Sequence, residues 1–401
     1  MSGQLQLGTA NFGKDSYIAV EGRQRADSFF IVRQGTVKIM RKIAVKSDGE
    51  ELLVAGDIFG VAPAMSSLSH IESAVAVTDV TLIVIRPQQY PALIQRNPQI
   101  AVKILDQLSV RLRLLDSALA GLAQRNGANP AEDGPPRLFD VGEYYFRQKQ
   151  YGRAFYAYNS YLKYCPEKKH LAAASKRLDE LAGTAGDPKV GLNRIYRKGD
   201  TLFAEGEPGD ELLVIQSGSV KVSKVAENRE VPVAVLKTGD VLGEMALLEA
   251  KPQALSAVAA EDCAVMAVGK ANLDSVLREH PQVVSKITTV LAGKVWFAFR
   301  RLENTLAATP LGRVYGLLHI HLEKARVNLE STSVHIFNFR WEDLVEMLWI
   351  TEKEGYILMG ELQEDKNIQV RKGIIHVDSI RELVRMCEYH RKMDRIAKSL
   401  S

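Results

Sequence analysis

Two stretches of the 401-residue chain set short Val, Ile, Leu and Phe runs between polar and glycine positions: SFFIVRQGTVKIM from Ser28 and ELLVIQSGSVKVS from Glu211. Runs of this kind, cut by Gly and Asp, predict short strands joined by tight turns. The two stretches belong to an internal repeat. Gly35, Val37, Lys38, Gly56, Asp57 and Gly60 recur 183 positions later as Gly218, Val220, Lys221, Gly239, Asp240 and Gly243. Glu21-Gly22 recurs as Glu205-Gly206 at an offset of 184, so one loop differs by one residue. The pattern predicts two similar antiparallel β-rolls, over about residues 10–95 and 191–275.

Each roll is followed by a helical pattern. In residues 98–124, Leu105, Leu112 and Leu119 repeat every seven positions, interleaved with Leu108, Leu115 and Leu122. That is an a/d seam suited to a paired helix, and it predicts pairing of two copies unless the seam is covered within the chain. Residues 281–306 place Val284, Ile287, Leu291, Val295, Ala298 and Leu302 on one side. Between the rolls, residues 126–136 read as a linker, and Leu138, Val141, Gly142, Tyr145, Ala154, Tyr158 and Pro166 follow at helical-hairpin spacings. Those spacings resemble a tetratricopeptide repeat. A single repeat cannot bury its own face, so the hairpin is expected to be a spacer lying against a neighbour. After residue 307 the pattern predicts a helix through Gly312-Arg313, and a second over Trp341–Leu348. Thr351 would be the N-cap of a third, and a two-strand wing over Ile368–Val377 would turn at Lys372-Gly373. The fold class is therefore α+β and multidomain: two antiparallel β-rolls with long helices, a helical hairpin and a winged-helix domain. The expected boundaries are 1–125, 126–190, 191–306 and 307–401.

Composition narrows the chemistry. The hydrophobic fraction of 46% supplies several cores, and a formal charge of +4 with a pI of about 8.7 permits a nucleic-acid partner without arguing for one. Cys165, Cys263 and Cys387 are far apart, so neither a disulfide framework nor a metal site is expected, and a cytoplasmic protein is the default. No apolar run approaches the roughly 20 residues of a membrane helix, so no membrane partner is expected. Nucleophile triads, Walker loops, HExxH and paired-carboxylate motifs do not stand out, so the chain reads as non-enzymatic.

The segment Gly243–Ser256, GEMALLEAKPQALS, resembles the phosphate-binding cassette of cyclic-nucleotide-binding domains. That pattern runs Gly-Glu-x-Ala-Leu, five residues, then Arg-Ala-Ala-Thr or Ser. The resemblance implies that Glu244 meets a ribose hydroxyl and that the amides at Gly243, Met245 and Ala246 face a phosphate, with Ala254 and Ser256 beside it. Gln253 stands in place of the arginine; it brings an amide donor without charge or fork. The ligand implied is a cyclic nucleotide, or another nucleotide or anion. In the first copy, Gly60 and Ser73 are kept, while Val61, Pro63 and His70 replace the acid, the amide donor and the arginine. Proline has no N–H to give, and valine cannot bind a hydroxyl, so this copy reads as a degenerate site.

The order of roll, long helix and Gly-Arg-led helix, then helix-turn-helix with a wing, resembles Crp/Fnr-type bacterial regulators. The resemblance covers residues 190 to about 380, with a weaker copy of the sensor half at 10–125. It implies a homodimer and duplex DNA as partner, with Thr351, Lys353, Tyr356, Arg371 and Lys372 as contact candidates. Charge argues the other way. From Glu342 to Asp365 there are eight acids and one base, a balance of 1 − 8 = −7, on the helices that should face a polyanion. Lys366–Lys398 is basic, which leaves a wing-led DNA contact open. The alternative is an adaptor whose winged module contacts a protein partner, with Trp341 or Trp349 as an exposed anchor or as core.

Overall fold

The computed structural model describes residues 7–22, 25–43, 51–125, 134–166, 169–184, 191–209, 211–226, 229–243, 252–269, 272–307, 309–348 and 350–400. The chain forms two compact units that are not simple blocks of sequence. One comprises residues 1–89, 110–129 and 291–401; the other comprises 90–109 and 130–290.

The first roll has strands β1 (Gly8–Phe12), β2 (Tyr17–Ala19), β3 (Phe29–Gln34), β4 (Val37–Met40), β5 (Glu51–Leu53) and β6 (Ile58–Phe59). After helix α1 (Val61–Ser66) come β7 (Ser73–Ala76) and β8 (Val80–Ile85). They make two four-stranded antiparallel sheets, ordered β1-β8-β3-β6 and β2-β7-β4-β5. The alternation read from the sequence puts Val32, Val37, Ile39, Phe59, Ala76 and Leu82 between the sheets. Gly35, at φ 91°, makes the β3–β4 turn; a Cβ there would lie 2.3 Å from the Asp79 carbonyl oxygen, so only glycine fits.

Helices α2 (Tyr90–Arg96) and α3 (Pro98–Arg125) follow, then α4 (Arg137–Arg147), α5 (Tyr151–Tyr164) and α6 (Leu171–Glu180). In the hairpin of α4 and α5, Leu138, Val141, Tyr145, Ala154, Tyr158 and Tyr161 form the core. Gly142 lets Tyr158 lie flat against α4, since a Cβ would come within 2.7 Å of the ring. The second roll repeats the first with β9 (Asn193–Tyr196), β10 (Thr201–Phe203), β11 (Glu211–Ser217), β12 (Ser219–Ala226), β13 (Arg229–Lys237), β14 (Val241–Leu242), β15 (Ser256–Ala259) and β16 (Cys263–Gly269). Its sheets run β10-β15-β12-β13 and β14-β11-β16-β9. Gly218 repeats the Gly35 geometry, with its Cβ position 2.3 Å from the Asp262 carbonyl oxygen.

Helices α7 (Leu273–Glu279) and α8 (Pro281–Thr305) close the second repeat. The seam leucines 105, 108, 112, 115 and 119 are buried in the single chain, as are Val284, Ile287, Leu291, Val295, Ala298 and Leu302. Helix–helix pairing through these seams is thus met within one chain rather than left open for a second copy. In the first unit the Arg111 guanidinium of α3 lies 6.0 Å above the Phe299 ring of α8. In the other unit the Tyr90 and Thr288 hydroxyls are 3.3 Å apart.

The C-terminal part has α9 (Pro310–Lys324), β17 (His335–Arg340), α10 (Trp341–Met347), α11 (Glu352–Gln363), the hairpin β18 (Ile368–Arg371) and β19 (Ile374–Val377), and α12 (Ile380–Leu400). Thr309 caps α9, accepting a hydrogen bond from the Gly312 amide, and Pro310 fills the first helical position. A strand β17 that the pattern did not predict joins the hairpin to make a sheet ordered β17-β19-β18. Trp341 is only 4% exposed and belongs to the core, so it is no surface anchor. Trp349 lies outside the described residues.

Candidate functional site: the two cassettes

Both cassettes rest on the same backbone frame. In the first roll the Gly22 amide donates to the His70 carbonyl at 2.8 Å, and the Glu21 amide donates to Ser73 Oγ at 3.0 Å. In the second, Gly206 donates to the Gln253 carbonyl at 2.8 Å and Glu205 to Ser256 Oγ at 2.9 Å. Gly60 and Gly243 both open their cassettes in the left-handed region, at φ 74° and 75°. The repeated Glu-Gly pairs therefore have a stated job: they hold the loop facing each cassette. Their side chains brace the same strand end as well. Glu21 Oε2 accepts from the Lys42 amide at 3.2 Å, and Glu205 Oε2 from the Val225 amide at 2.9 Å.

In the first cassette, every residue of α1 is buried, Val61 and Pro63 included. Burial holds the His70 imidazole below its usual range, against the pull of Glu72 and Asp27, so it supplies no standing charge. The outer side of the cassette is occupied by the rest of its own unit. Arg326 Nη2 donates to the Ser66 carbonyl at 2.9 Å, and Trp296 Nε1 donates to the Ser69 carbonyl at 2.9 Å. Ser69 Oγ donates to Glu323 Oε1 at 2.9 Å. Glu323 in turn accepts from Arg300 Nη2 at 3.1 Å, and Arg300 Nη1 donates to Glu303 at 2.7 Å. Trp296 is fully buried beneath the Arg300 guanidinium. The cassette is thus clamped to the C-terminal half of α8 and to the end of α9. None of this was readable from the sequence, because Ser66 and Ser69 act mainly through carbonyls that any residue carries, and the Ser69 hydroxyl meets Glu323 only across 254 positions of chain.

In the second cassette, Glu244, Met245 and Ala246 lie outside the described residues. Ala254 is exposed. Gln253 is 7% exposed, with its Nε2 folded in toward Gly243, 3.3 Å from where a Cβ would stand. Its backbone N–H donates to the Glu207 carbonyl at 2.9 Å. The hydroxyl of Ser256 is buried and already accepts from Glu205, so it is a framing group before it is a ligand donor. The neighbour here is the helical hairpin. Arg137 donates to Glu205 Oε1 at 3.3 Å and to the Val225 carbonyl, and Tyr156 Oη donates to Glu207 at 3.1 Å. Gly206 is pressed so close to Gly134 that a Cβ would meet its carbonyl oxygen at 2.5 Å. Arg137 thus brings a guanidinium next to the second cassette from a separate element.

The candidate contact residues of the C-terminal part are spread over one face and the hairpin tip. Thr351 forms a capping box with Glu354: its Oγ1 accepts from the Glu354 amide at 3.3 Å, and Glu354 Oε2 accepts from the Thr351 amide at 2.9 Å. Its hydroxyl also donates to Glu354 at 2.9 Å, so it is committed within the helix. Lys353 is exposed and Tyr356 is 74% exposed. Arg371 folds back on Gln369 at 3.0 Å, and Lys372 takes φ 53° at the hairpin turn. Beside them, Pro310, Leu311, Ile357 and Leu358 line an apolar groove of about 400 Å³ rimmed by Glu354 and Glu361. Among the described residues there is no cluster of three metal-ligating side chains, and no helix is long and apolar enough to cross a membrane.

Comparison with known proteins accords with this geometry. Residues 9–97 and 193–280 each match the cyclic nucleotide-binding domain. A CRP-like cAMP-activated global transcriptional regulator of Mycobacterium tuberculosis is 32% identical over 113 residues, 28% of this chain and 49% of that protein. The chain therefore spans about half the length of the first curated relative it matches. The cyclic AMP receptor protein of Thermus thermophilus is 25% identical over 186 residues, covering 46% of this chain and 82% of that one. A cAMP-dependent protein kinase regulatory subunit of Aspergillus niger is 43% identical over 75 residues, 19% of this chain and 18% of the other. The solved structure of the Thermus thermophilus catabolite activator protein aligns with 49% of this chain and 90% of its own, at 23% identity and a TM-score of 0.27. The Mycobacterium and Aspergillus relatives are regulators by name.

Proposed function

We propose that the protein is a non-enzymatic, ligand-responsive regulator in which the second cyclic nucleotide-binding domain is the effector site and the first is a scaffold. The observation that carries this reading is the clamp: the first cassette spends the carbonyls of Ser66 and Ser69 and the Ser69 hydroxyl on Arg326, Trp296 and Glu323. A cassette so engaged positions the C-terminal module instead of sensing. The second cassette keeps Glu244, Ser256 and the glycine frame, and takes a cyclic nucleotide or another small nucleotide or anion. The C-terminal elements work as a winged helix-turn-helix output, with Thr351, Lys353, Tyr356, Arg371 and Lys372 on the face offered to duplex DNA. If two copies of the chain assemble, they use a surface other than the buried α3 and α8 seams.

A second reading is favoured by one observation. The groove of Leu311, Ile357 and Leu358 is apolar with an acidic rim, a surface for a basic protein segment and not for a polyanion. In that case the same regulator is an adaptor, and its output is a protein contact. Retention on random duplex at low salt separates the two: the first reading expects retention that weakens steeply with salt, and its absence sinks DNA output.

The effector assignment is tested by calorimetry with cyclic AMP and cyclic GMP on the wild type and on Gln253→Arg. Restoring a charge-assisted contact of about 1.5–3 kcal/mol raises cyclic-nucleotide affinity about 10- to 150-fold. An unchanged isotherm would show that Gln253 does not stand at the phosphate position.

A further inference from the structure

Glu72 has no counterpart in the second roll, where Leu255 stands 183 positions on. It is a buried carboxylate near the C-terminal end of the first cassette, next to Ser73. Arg41, just past β4, donates from Nε to Glu72 Oε2 at 3.0 Å, and Arg111 on α3 donates from Nη1 to the same oxygen at 3.4 Å. The nearby Gly60 amide adds to the pull on this carboxylate. This one cassette side chain therefore ties a strand end to the long helix, all within one compact unit. Burial pushes the Glu72 carboxyl up; Arg111, Arg41 and the Gly60 amide outweigh it and hold the group below the usual carboxylate range, so it stays charged. Arg41 reaches a second acid, Glu51, at 2.7 Å, but Glu51 is half exposed and outside the cassette. Two guanidinia converging on one buried oxygen form a complete oxyanion receptor, filled from inside the protein.

We propose that Glu72 is a built-in ligand of the first roll, its carboxylate filling an anion site made by Arg41 and Arg111 that would otherwise take a phosphate or carboxylate group. The permanent occupant fixes the roll against α3, so the unit keeps one arrangement with no effector. This rests on the reading of the first roll as a scaffold. It also accounts for the loss of the arginine position to His70: the cations of this site come from β4 and α3 instead.

The experiment uses the full chain and inorganic phosphate as probe, with chloride at matched ionic strength as the control. Glu72→Ala removes the anion that Arg41 and Arg111 share, so its thermal midpoint falls below wild type. Phosphate at ten times its dissociation constant then raises the midpoint of Glu72→Ala by about 3 °C beyond its effect on wild type. Acetate acts in the same direction, and adding Arg111→Met removes the gain. Where Glu72→Ala does not fold, Glu72→Ser, which also vacates the site, is read in the same way. The proposal is overturned if the folded variant responds to phosphate no more than wild type does, or if the gain survives Arg111→Met. Failure of the scaffold reading has a different signature, namely phosphate binding by the wild type itself that Arg111→Met abolishes.

Discussion

The first and second cassettes share a frame and differ in what leans on it. Gly22 and Gly206, Ser73 and Ser256, Gly60 and Gly243 make the same bonds or take the same dihedrals in both. The first frame is closed from inside by Glu72 and from outside by Trp296, Glu323 and Arg326. The second has a neutral Gln253 within it and the hairpin residue Arg137 alongside. A duplicated domain can thus keep its turn chemistry while the contacts made around its cassette change. The glycines report the fold and the polar side chains around them report the use.

The largest test of this contrast is Glu323→Ala. The substitution removes the acceptor for Ser69 Oγ and leaves the buried Arg300 with Glu303 alone. Breaking one partner of a buried ion pair costs about 3–5 kcal/mol. Denaturant unfolding of this variant is expected to show an early transition of the unit that holds the first roll, while ligand binding at the second roll is unchanged. A single transition lost by less than about 1 kcal/mol would mean that the clamp adds little.

Acid should weaken the same unit next. Burial, with Arg391 and Arg300 nearby, pushes the His319 imidazole down to about 3. Burial, with Lys324 and Arg301, pushes His321 down to about 4. Both fall far below the unfolded value of about 6.5, so the unfolded chain binds more protons in between. Stability from these two groups is complete above about pH 6.5 and is lost as the pH falls toward 4 and then 3, roughly 2 kcal/mol per histidine at pH 5. His321 lies against Phe297 and Phe339, so His321→Phe fits the site and flattens part of the acid branch between pH 7 and 5. An acid branch as steep as in wild type would remove His321 from the account.

How much of this could be read in advance depended on the kind of signal. The repeat, both long helices and the β18–β19 hairpin followed from periodicity and from glycine, because those express backbone geometry that few residues satisfy. The strand β17 was missed: HIFNFR alternates weakly, and its pairing to β19 is a long-range choice. The seam leucines were legible as a seam, but not their partner, since an a/d pattern has the same form whether the facing helix is in cis or in trans. In the cassettes, Val61, Pro63 and His70 carry the expectation of a degenerate first site. Glu72, Arg41 and Arg111 did not announce what replaced them, because three charged residues 31 and 39 positions apart have no spacing signature. Ser66 and Ser69 act largely through carbonyls, which carry no side-chain signal.

The smallest effect, and the one that sharpens the comparison most, is expected from Arg137→Ala. In the second cassette this arginine occupies the role that internal contacts fill in the first: it pairs with the buried Glu205, whose other oxygen takes the Val225 amide. Its side chain is 28% exposed, so the charge is partly screened, and Glu205 keeps one hydrogen bond when it goes. The cost should be about 1–2 kcal/mol, well below that of Glu323→Ala. Its second consequence is functional. If the second roll is the effector site, loosening the hairpin from Glu205 changes the affinity for a cyclic nucleotide, whereas Glu323→Ala leaves it alone. Calorimetry on the two variants side by side decides this. Equal affinity in wild type and Arg137→Ala would make the hairpin a passive spacer. A shift confined to Arg137→Ala would make it part of the sensor, and would set the two copies of the repeat apart by function as well as by contact.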